Sequence, residues 1–307
     1  MTTRPREREL EAATGTGTLD VVIVSYRSKS LLRECLSSLY EHSPGRPMEV
    51  IVVDNASGDG TVEMVADEFP EAEVIEADGN LGFATATNIG IRAGSGEYVL
   101  ALNPDVRVTA GALDRLLGVL DDRAEVGVVG GRLELPDGRV DHATARPFPT
   151  VLGTLGHFTG LARRERVPVS LALYRAVPEE AGPVDLVCGA CMLMRRSALD
   201  EVGAFDEGYW MYIEDIDLCY RLALAGWTTW YEPSARLLHV KGGTAGPRRS
   251  PGVVWAFHRG MARFYRKHYA STRPKLVNAL VYGGIAAKVA LSLVGGSFRR
   301  TAPTPRE

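Results

Sequence analysis

Glu214, Asp215 and Asp217 crowd three carboxylates into four positions, immediately ahead of a helical spacing of Asp215, Cys219 and Leu222. Acids there can simply cap a helix and answer its dipole. The residues before them suggest chemistry instead, because Tyr209, Trp210, Met211 and Tyr212 form an aromatic and apolar wall. A carboxylate against such a wall loses solvation, which raises its proton affinity toward that of a working base. Two further acids close apolar runs: Asp54 after Val50–Val53, and Asp105 after Tyr98–Leu102 and Asn103-Pro104. Asp105 reads as a turn acid or as an anchor that holds a divalent cation against a diphosphate. His239 ends another apolar run, before Lys241-Gly-Gly. On its own it reads as structural. Beside Asp105, one imidazole and one carboxylate, completed by diphosphate oxygens and water, suit Mg²⁺ or Mn²⁺. Such a cation would neutralise charge on a diphosphate leaving group.

These acids need rigid elements to carry them. The unbroken apolar run Tyr98–Leu102 suits a strand buried on both faces, and Val21–Tyr26 and Glu49–Asp54 read as two further strands. Pro104 ends the last of these, leaving Asp105 at a carboxyl edge, where open α/β sheets bind ligands. Helical spacing follows at Leu32, Cys35, Leu36 and Leu39, then at Val62, Val65, Ala66 and Phe69, and again at Leu113, Leu116, Leu117 and Leu120. Short strands are expected at Ala72–Ile75 and Val126–Gly130, and a helix from Gly82 to about Gly94. Strands alternating with helices imply βαβ units and a mostly parallel sheet. The second half is less regular. Leu133–Val140 reads as a hairpin turning at Asp137-Gly138, and residues 141–183 as a mobile excursion. One strand-like run is expected at Val184–Met194, and separate strands at Trp227–Tyr231 and Ala235–Val240.

Composition excludes other classes. The chain has 307 residues, 45% hydrophobic and 24% charged, with a net charge of −3, which gives no reason to expect nucleic-acid binding. Neither G-x-G-x-x-G nor G-x-x-x-x-G-K-[ST] occurs at a strand end, so dinucleotide and P-loop readings lack support. Cys35, Cys188, Cys191 and Cys219 sit in apolar surroundings and read as buried thiols in a reducing compartment. Cys188-Gly-Ala-Cys191 has no second pair at zinc spacing. Residues 1–18 lack an apolar core and read as a disordered lead-in to a cytoplasmic protein.

Taken together, several stretches carry a resemblance: Val24-Ser-Tyr26, Val53-Asp-Asn-Ala-Ser57, Asn80-Leu-Gly-Phe-Ala84, Leu102-Asn-Pro-Asp105, Gly189-Ala-Cys191 with Arg195-Arg196, Phe205-Asp206 and Glu214-Asp-Ile-Asp-Leu218. In order and spacing over residues 20–268 the chain resembles family 2 glycosyltransferases, and among them bacterial rhamnosyltransferases acting on lipid-linked sugars. The resemblance implies a GT-A fold, α/β and Rossmann-like, over residues 19–268, with a nucleotide-sugar half (19–131) and an acceptor half (132–268). It implies inverting transfer from a nucleoside-diphosphate sugar, dTDP-L-rhamnose favoured, to a glycan or lipid-linked sugar. Ser25, Tyr26, Asp54, Asn55, Asn80, Gly82, Asn88, Asn103 and Asp105 would then bind the nucleotide sugar. Gly189, Ala190, Trp210 and Met211 would face the acceptor. Asp215 would be the general base with Glu214 in support, and Asp105 and His239 would hold the divalent metal. Asn103 stands where the family's metal motif carries its first acid, and Arg27 where relatives usually carry Asn. Rival readings are the same transfer from a UDP- or GDP-sugar, a sugar-nucleotide nucleotidyltransferase, and a non-catalytic nucleotide-sugar-binding protein.

The run 276–296 is long enough to span a bilayer, yet Asn278, Lys288 and Ser292 form a polar stripe at helical spacing. With Lys267, Arg273 and Lys275 before it and Arg299-Arg300 after it, residues 269–300 read as an amphipathic helix lying in the inner membrane interface. The competing reading is a helix packed on the catalytic domain. A homo-oligomer is left open.

Overall fold

The computed structural model describes residues 17–149, 177–241 and 251–298. The expected lead-in therefore lies largely outside the described residues, as do most of the 141–183 excursion and Gly242-Gly-Thr244. Strands β1 (Leu19–Ser25), β2 (Met48–Asp54), β3 (Glu73–Glu76) and β4 (Tyr98–Leu102) form in chain order. They are followed by β5 (Val106–Val108), β6 (Val126–Glu134), β7 (Ala145–Arg146), β8 (Gly182–Val184), β9 (Leu186–Val187), β10 (Cys191–Arg195) and β11 (Thr228–His239). A nine-stranded sheet runs β3-β2-β1-β4-β10-β6-β11-β5, with β8 also on β11. The pairs β3-β2, β2-β1, β1-β4 and β6-β11 are parallel, and β10 enters antiparallel between β4 and β6.

Helices cover both faces, as runs buried on both sides require. On one face Leu32, Leu36, Leu39, Leu113, Leu116, Leu117 and Leu120 pack on Val21, Ile23 and Leu100. On the other, Ile91, Leu199, Leu218 and Leu222 pack on Val22, Val99, Ala101, Met192 and Met194. The switch of neighbouring strand residues between the two clusters follows the two-residue period of a strand.

Three expectations are corrected. The run from Val184 to Met194 is not one strand: it breaks at Cys188-Gly-Ala190, where the Cys188 N–H donates to Thr144 O at 3.1 Å. The strands expected at Trp227–Tyr231 and Ala235–Val240 are one, carried past Pro233 by a register shift between Glu232 and Arg236. A proline ends a ladder bond without ending the strand when a bulge absorbs it. Residues 141–146 are ordered rather than part of a mobile excursion: Asp141, Thr144 and Ala145 are buried, and β7 pairs with β9 in a two-stranded sheet. The expected hairpin forms, with Gly138 at φ 81° and the Leu135 N–H donating to Arg139 O at 2.8 Å.

Candidate active site

The carboxyl ends of β1, β2 and β4 open into a cavity of about 860 Å³. Tyr26, Asn55, Asn80, Asn103 and Asp105 line it, with Gly189, Ala190, Met211, Glu214, Asp215 and His239. Residues as far apart in sequence as Val24 and Ser292 thus meet in one space. Asn55 builds the donor-side rim. Its Nδ2 donates to Asn80 Oδ1 at 3.2 Å, and its Oδ1 accepts from the Leu81 N–H at 2.9 Å. Asp54, buried at the end of β2, accepts from the Ser57 N–H at 3.0 Å through Oδ2. Its Oδ1 has no hydrogen-bond partner among the described residues, an uncompensated buried acceptor that a ligand hydroxyl or imide would satisfy. Ser25 lies beneath, its hydroxyl 3.0 Å from that of Ser28. Arg27 follows at φ 52°, in the left-handed region where Asn is tolerated best.

Of the predicted nucleotide residues, Ser25, Asp54, Gly82 and Asn88 are outside the cavity lining, and the last two do other work. Asn88 is buried on the Phe83–Ala93 helix, donating to Phe205 O at 2.8 Å and accepting from the Phe205 N–H at 3.0 Å, and it lines no part of the cavity. Gly82 forms the seam between two loops: a Cβ on it would lie 2.2 Å from Trp210 O. The adjacent Phe83 N–H donates to that same carbonyl at 2.7 Å. Trp210 is 40% exposed and outside the cavity lining, so its main chain does the work here.

Pairing of β5 with β11 sets Val106 opposite His239, which brings His239 Nε2 to 3.5 Å from Asp105 Oδ1. On the ring's other side, Nδ1 lies 2.9 Å from Asp141 Oδ2, and Lys241 Nζ donates to Asp141 Oδ1 at 2.8 Å. Burial opposes charge on His239, but the two carboxylates outweigh it and push its pKa up to about 9. Asp141, against its own burial, is held well below the carboxylate range by His239 and Lys241. A carboxylate behind an imidazole is the usual way to orient a histidine toward a metal. Among the described residues no group of three or more His, Cys, Asp or Glu side chains is placed to hold a metal by itself. Asp105 and His239 supply one oxygen and one nitrogen, a donor set that fits Mg²⁺ or Mn²⁺ when substrate diphosphate and water complete it.

The three acids at 214–217 separate by environment. Asp215 accepts from the Ile216 N–H at 2.8 Å through Oδ1 and from the Gly189 N–H at 3.2 Å through Oδ2. Arg146 stands 3.5 Å from the same Oδ2. Glu214 is buried, and its Oε2 has no hydrogen-bond partner among the described residues. Burial, reinforced by the charge of Asp215, raises its pKa well above the carboxylate range. So the raised proton affinity expected from sequence for this cluster falls on Glu214, through its burial beside Asp215. Asp217 turns away from the cavity and accepts from Tyr209, Arg221, Lys267 and His268 at 2.7–3.0 Å. The turn into this helix is strained: Tyr212 and Ile213 have φ 67° and 74°, costly for a β-branched residue and typical of functional sites.

Sequence reasoning missed Asp141 and Arg146, both in the stretch read as mobile. The hairpin before them was the available signal, because it returns the chain to the carboxyl edge of β6. The helices Pro251–His268 and Lys275–Phe298 were not expected at the site either. Val254, Phe257, His258, Lys288 and Ser292 from them line the cavity. The four cysteines are free, three of them buried, and burial pushes the thiols of Cys188, Cys191 and Cys219 up to about 12. None is a nucleophile here.

The model of glycosyl transferase family 2 matches residues 20–203. The chain belongs to that family. The N-acetylglucosaminyl-diphospho-decaprenol L-rhamnosyltransferase of Mycobacterium tuberculosis is 36% identical over 265 residues, which is 79% of this chain and 82% of the relative. Rhamnosyltransferase WbbL of Escherichia coli is 25% identical over 226 residues, 71% of this chain and 82% of WbbL. Among solved structures, the Pyrobaculum calidifontis mannosyltransferase PcManGT, in complex with GDP-Man and Mn²⁺, superposes with a TM-score of 0.57 at 19% identity, covering 97% of this chain and 81% of its own. GalNAc-T7, solved with UDP, GalNAc and Mn²⁺, gives a TM-score of 0.62 at 15% identity over 83% of this chain and 48% of its own. The glycosyltransferase is thus an enzyme of GT-A fold. Among its described residues no helix is long and apolar enough to cross a membrane.

Proposed function

We propose that this glycosyltransferase moves L-rhamnose from dTDP-L-rhamnose, with inversion, to a hydroxyl of N-acetylglucosamine on a polyprenyl-diphosphate carrier. The observation that carries the reading is 36% identity, across 79% of the chain, to a protein named for that reaction. The cavity supports it by gathering the donor, acceptor and base candidates around one volume.

Ser25, Tyr26, Asp54, Asn55 and Asn80 hold the nucleotide at the carboxyl edge of the sheet. Asp215, fixed by two backbone N–H groups, takes the proton from the acceptor hydroxyl as that oxygen attacks the anomeric carbon. Glu214, whose proton affinity is raised by burial beside Asp215, would hydrogen-bond the sugar. Asp105 and His239 would hold the divalent cation, which when bound supplies charge stabilisation for the leaving diphosphate. Asp141 keeps the His239 ring turned toward Asp105. The enzyme works at the inner face of the cell membrane, with the exposed apolar face of its last helix against the lipid.

The test is to incubate the enzyme with Mn²⁺, a short-chain prenyl-diphosphate-linked N-acetylglucosamine and each of dTDP-L-rhamnose, UDP-galactose and GDP-mannose. Addition of one deoxyhexose from dTDP-L-rhamnose, read by mass spectrometry, is the expected result. Turnover of a UDP- or GDP-sugar instead would replace the donor and keep the transferase.

A further inference from the structure

The Lys275–Phe298 helix is turned inside out for a surface helix in water. A helix on a soluble domain buries its apolar stripe and shows its polar one. Here Leu276, Leu280 and Leu291 are 73%, 67% and 70% exposed, while the polar stripe faces the protein. Asn278 accepts from the Tyr265 hydroxyl at 2.7 Å and donates to Ala270 O at 2.9 Å. One turn apart, Lys288 and Ser292 look into the catalytic cavity, and Ile285 beside them is buried.

Where they enter the cavity identifies what they meet. The preceding helix, Pro251–His268, sits directly on the strained turn that delivers Glu214 and Asp215. A Cβ on Gly260 would lie 3.2 Å from Ile213 Cγ1 and from Tyr212 O, and the Tyr212 and Phe257 rings stack edge-on at 5.9 Å. Lys288 and Ser292 thus share one cavity with Glu214 and Asp215, on the helix that follows the one packed against their turn. The acceptor hydroxyl that Asp215 would deprotonate belongs, on the reading above, to the same space. An ammonium and a hydroxyl facing inward, on a helix whose outward face is aliphatic, match a ligand with an anionic head and an apolar tail.

We propose that Lys288, assisted by Ser292, binds the diphosphate of the lipid-linked acceptor while the prenyl chain runs out along the Leu276, Leu280 and Leu291 face. This rests on the acceptor class in the reading above. The ammonium neutralises charge on the head group, and the exposed leucines give the tail an apolar path that leaves the cavity. The terminal helix is then part of the acceptor site.

The experiment titrates farnesyl diphosphate, with farnesol as the diphosphate-free control, into the full chain saturated with dTDP. Wild type, Lys288→Gln and Lys288→Arg are compared. Lys288→Gln is expected to weaken farnesyl diphosphate about tenfold, the loss of one charge-assisted contact, with Lys288→Arg near wild type and farnesol unchanged. Unaltered dTDP affinity in both variants shows that they are folded. Equal affinity of wild type and Lys288→Gln for farnesyl diphosphate overturns the proposal, as does an equal loss for farnesol. Weakened dTDP in Lys288→Gln overturns it too, by assigning the lysine to the donor. A wild type that binds dTDP but no farnesyl diphosphate sinks this proposal and spares the transferase reading. One that binds farnesyl diphosphate but no nucleotide does the reverse.

Discussion

At the scale of the residue, neighbouring acids with the same chemistry take different roles because their partners differ. Asp215 has two backbone donors and Arg146, whereas Glu214 has burial and the charge of Asp215. Asp215→Asn is expected to lower kcat by about 10²–10⁴-fold, the usual worth of a general base, with donor affinity unchanged by calorimetry. Glu214→Gln puts a neutral amide where burial raises the carboxyl's proton affinity, so it should match wild type in stability near pH 4 and exceed it at pH 7. The sign follows from the raised folded pKa: the unfolded chain loses this proton first, so wild-type stability falls as pH climbs above about 4.3. The variant lacks that slope, which thermal melts across pH will show. His239 gives a third expectation. A metal must displace its proton, so Mn²⁺ affinity in the presence of dTDP should climb with pH and level off near 9. A flat profile would remove His239 from the ligand set.

Among the elements, the C-terminal helices are bound to the catalytic one through a buried hub. Asp217 is fully buried and joins the Glu214–Leu224 helix to Lys267 and His268 of the next. Burial opposes its ionisation, but His268, Arg221 and Lys267 hold its pKa below the carboxylate range. A depressed folded pKa stabilises above the unfolded value of about 3.9, and that stability is lost as pH falls through the folded pKa. Asp217→Asn should therefore cost about 3 kcal/mol at pH 7, the scale for breaking a buried charge pair, and the gap to wild type should close below about pH 4. The last helix makes its own prediction. Replacing Leu276, Leu280 and Leu291 by Ser removes apolar area that faces outward, so stability should stay within about 0.5 kcal/mol. Co-sedimentation with anionic phospholipid vesicles should fall several-fold if that face rests on lipid.

Across the whole molecule, the candidate donor rim, base and metal ligands gather around one cavity but come from distant parts of the chain. The seam between Gly82 and Trp210 is one place where the two sides touch. Filling the cavity should brace both sides at once. At a hundredfold excess over Kd a ligand adds about 2.7 kcal/mol, so dTDP-L-rhamnose with Mn²⁺ should raise Tm by several degrees. Gly82→Ala, which drives a methyl into the Trp210 carbonyl, should reduce that shift along with the basal Tm.

Local pattern was enough for the strands β1, β2 and β4, their flanking helices and the acids that close them, because unbroken apolar runs and 3.6-residue spacing are written in neighbouring residues. The motifs from 24–26 to 214–218, taken as a set in their order and spacing, also pointed to the family. Tertiary structure decided what depends on distant partners. The β5–β11 register set His239 beside Asp105, and the turn of the 133–140 hairpin put Asp141 behind it. Burial beside Asp215, rather than the aromatic wall as such, assigned the raised proton affinity to Glu214. The orientation of the last helix was likewise beyond its sequence. A polar stripe on an apolar helix has the same spacing whether it faces water or a cavity, and only the packing of Asn278 on Tyr265 and of Lys288 into the site fixes which way it turns.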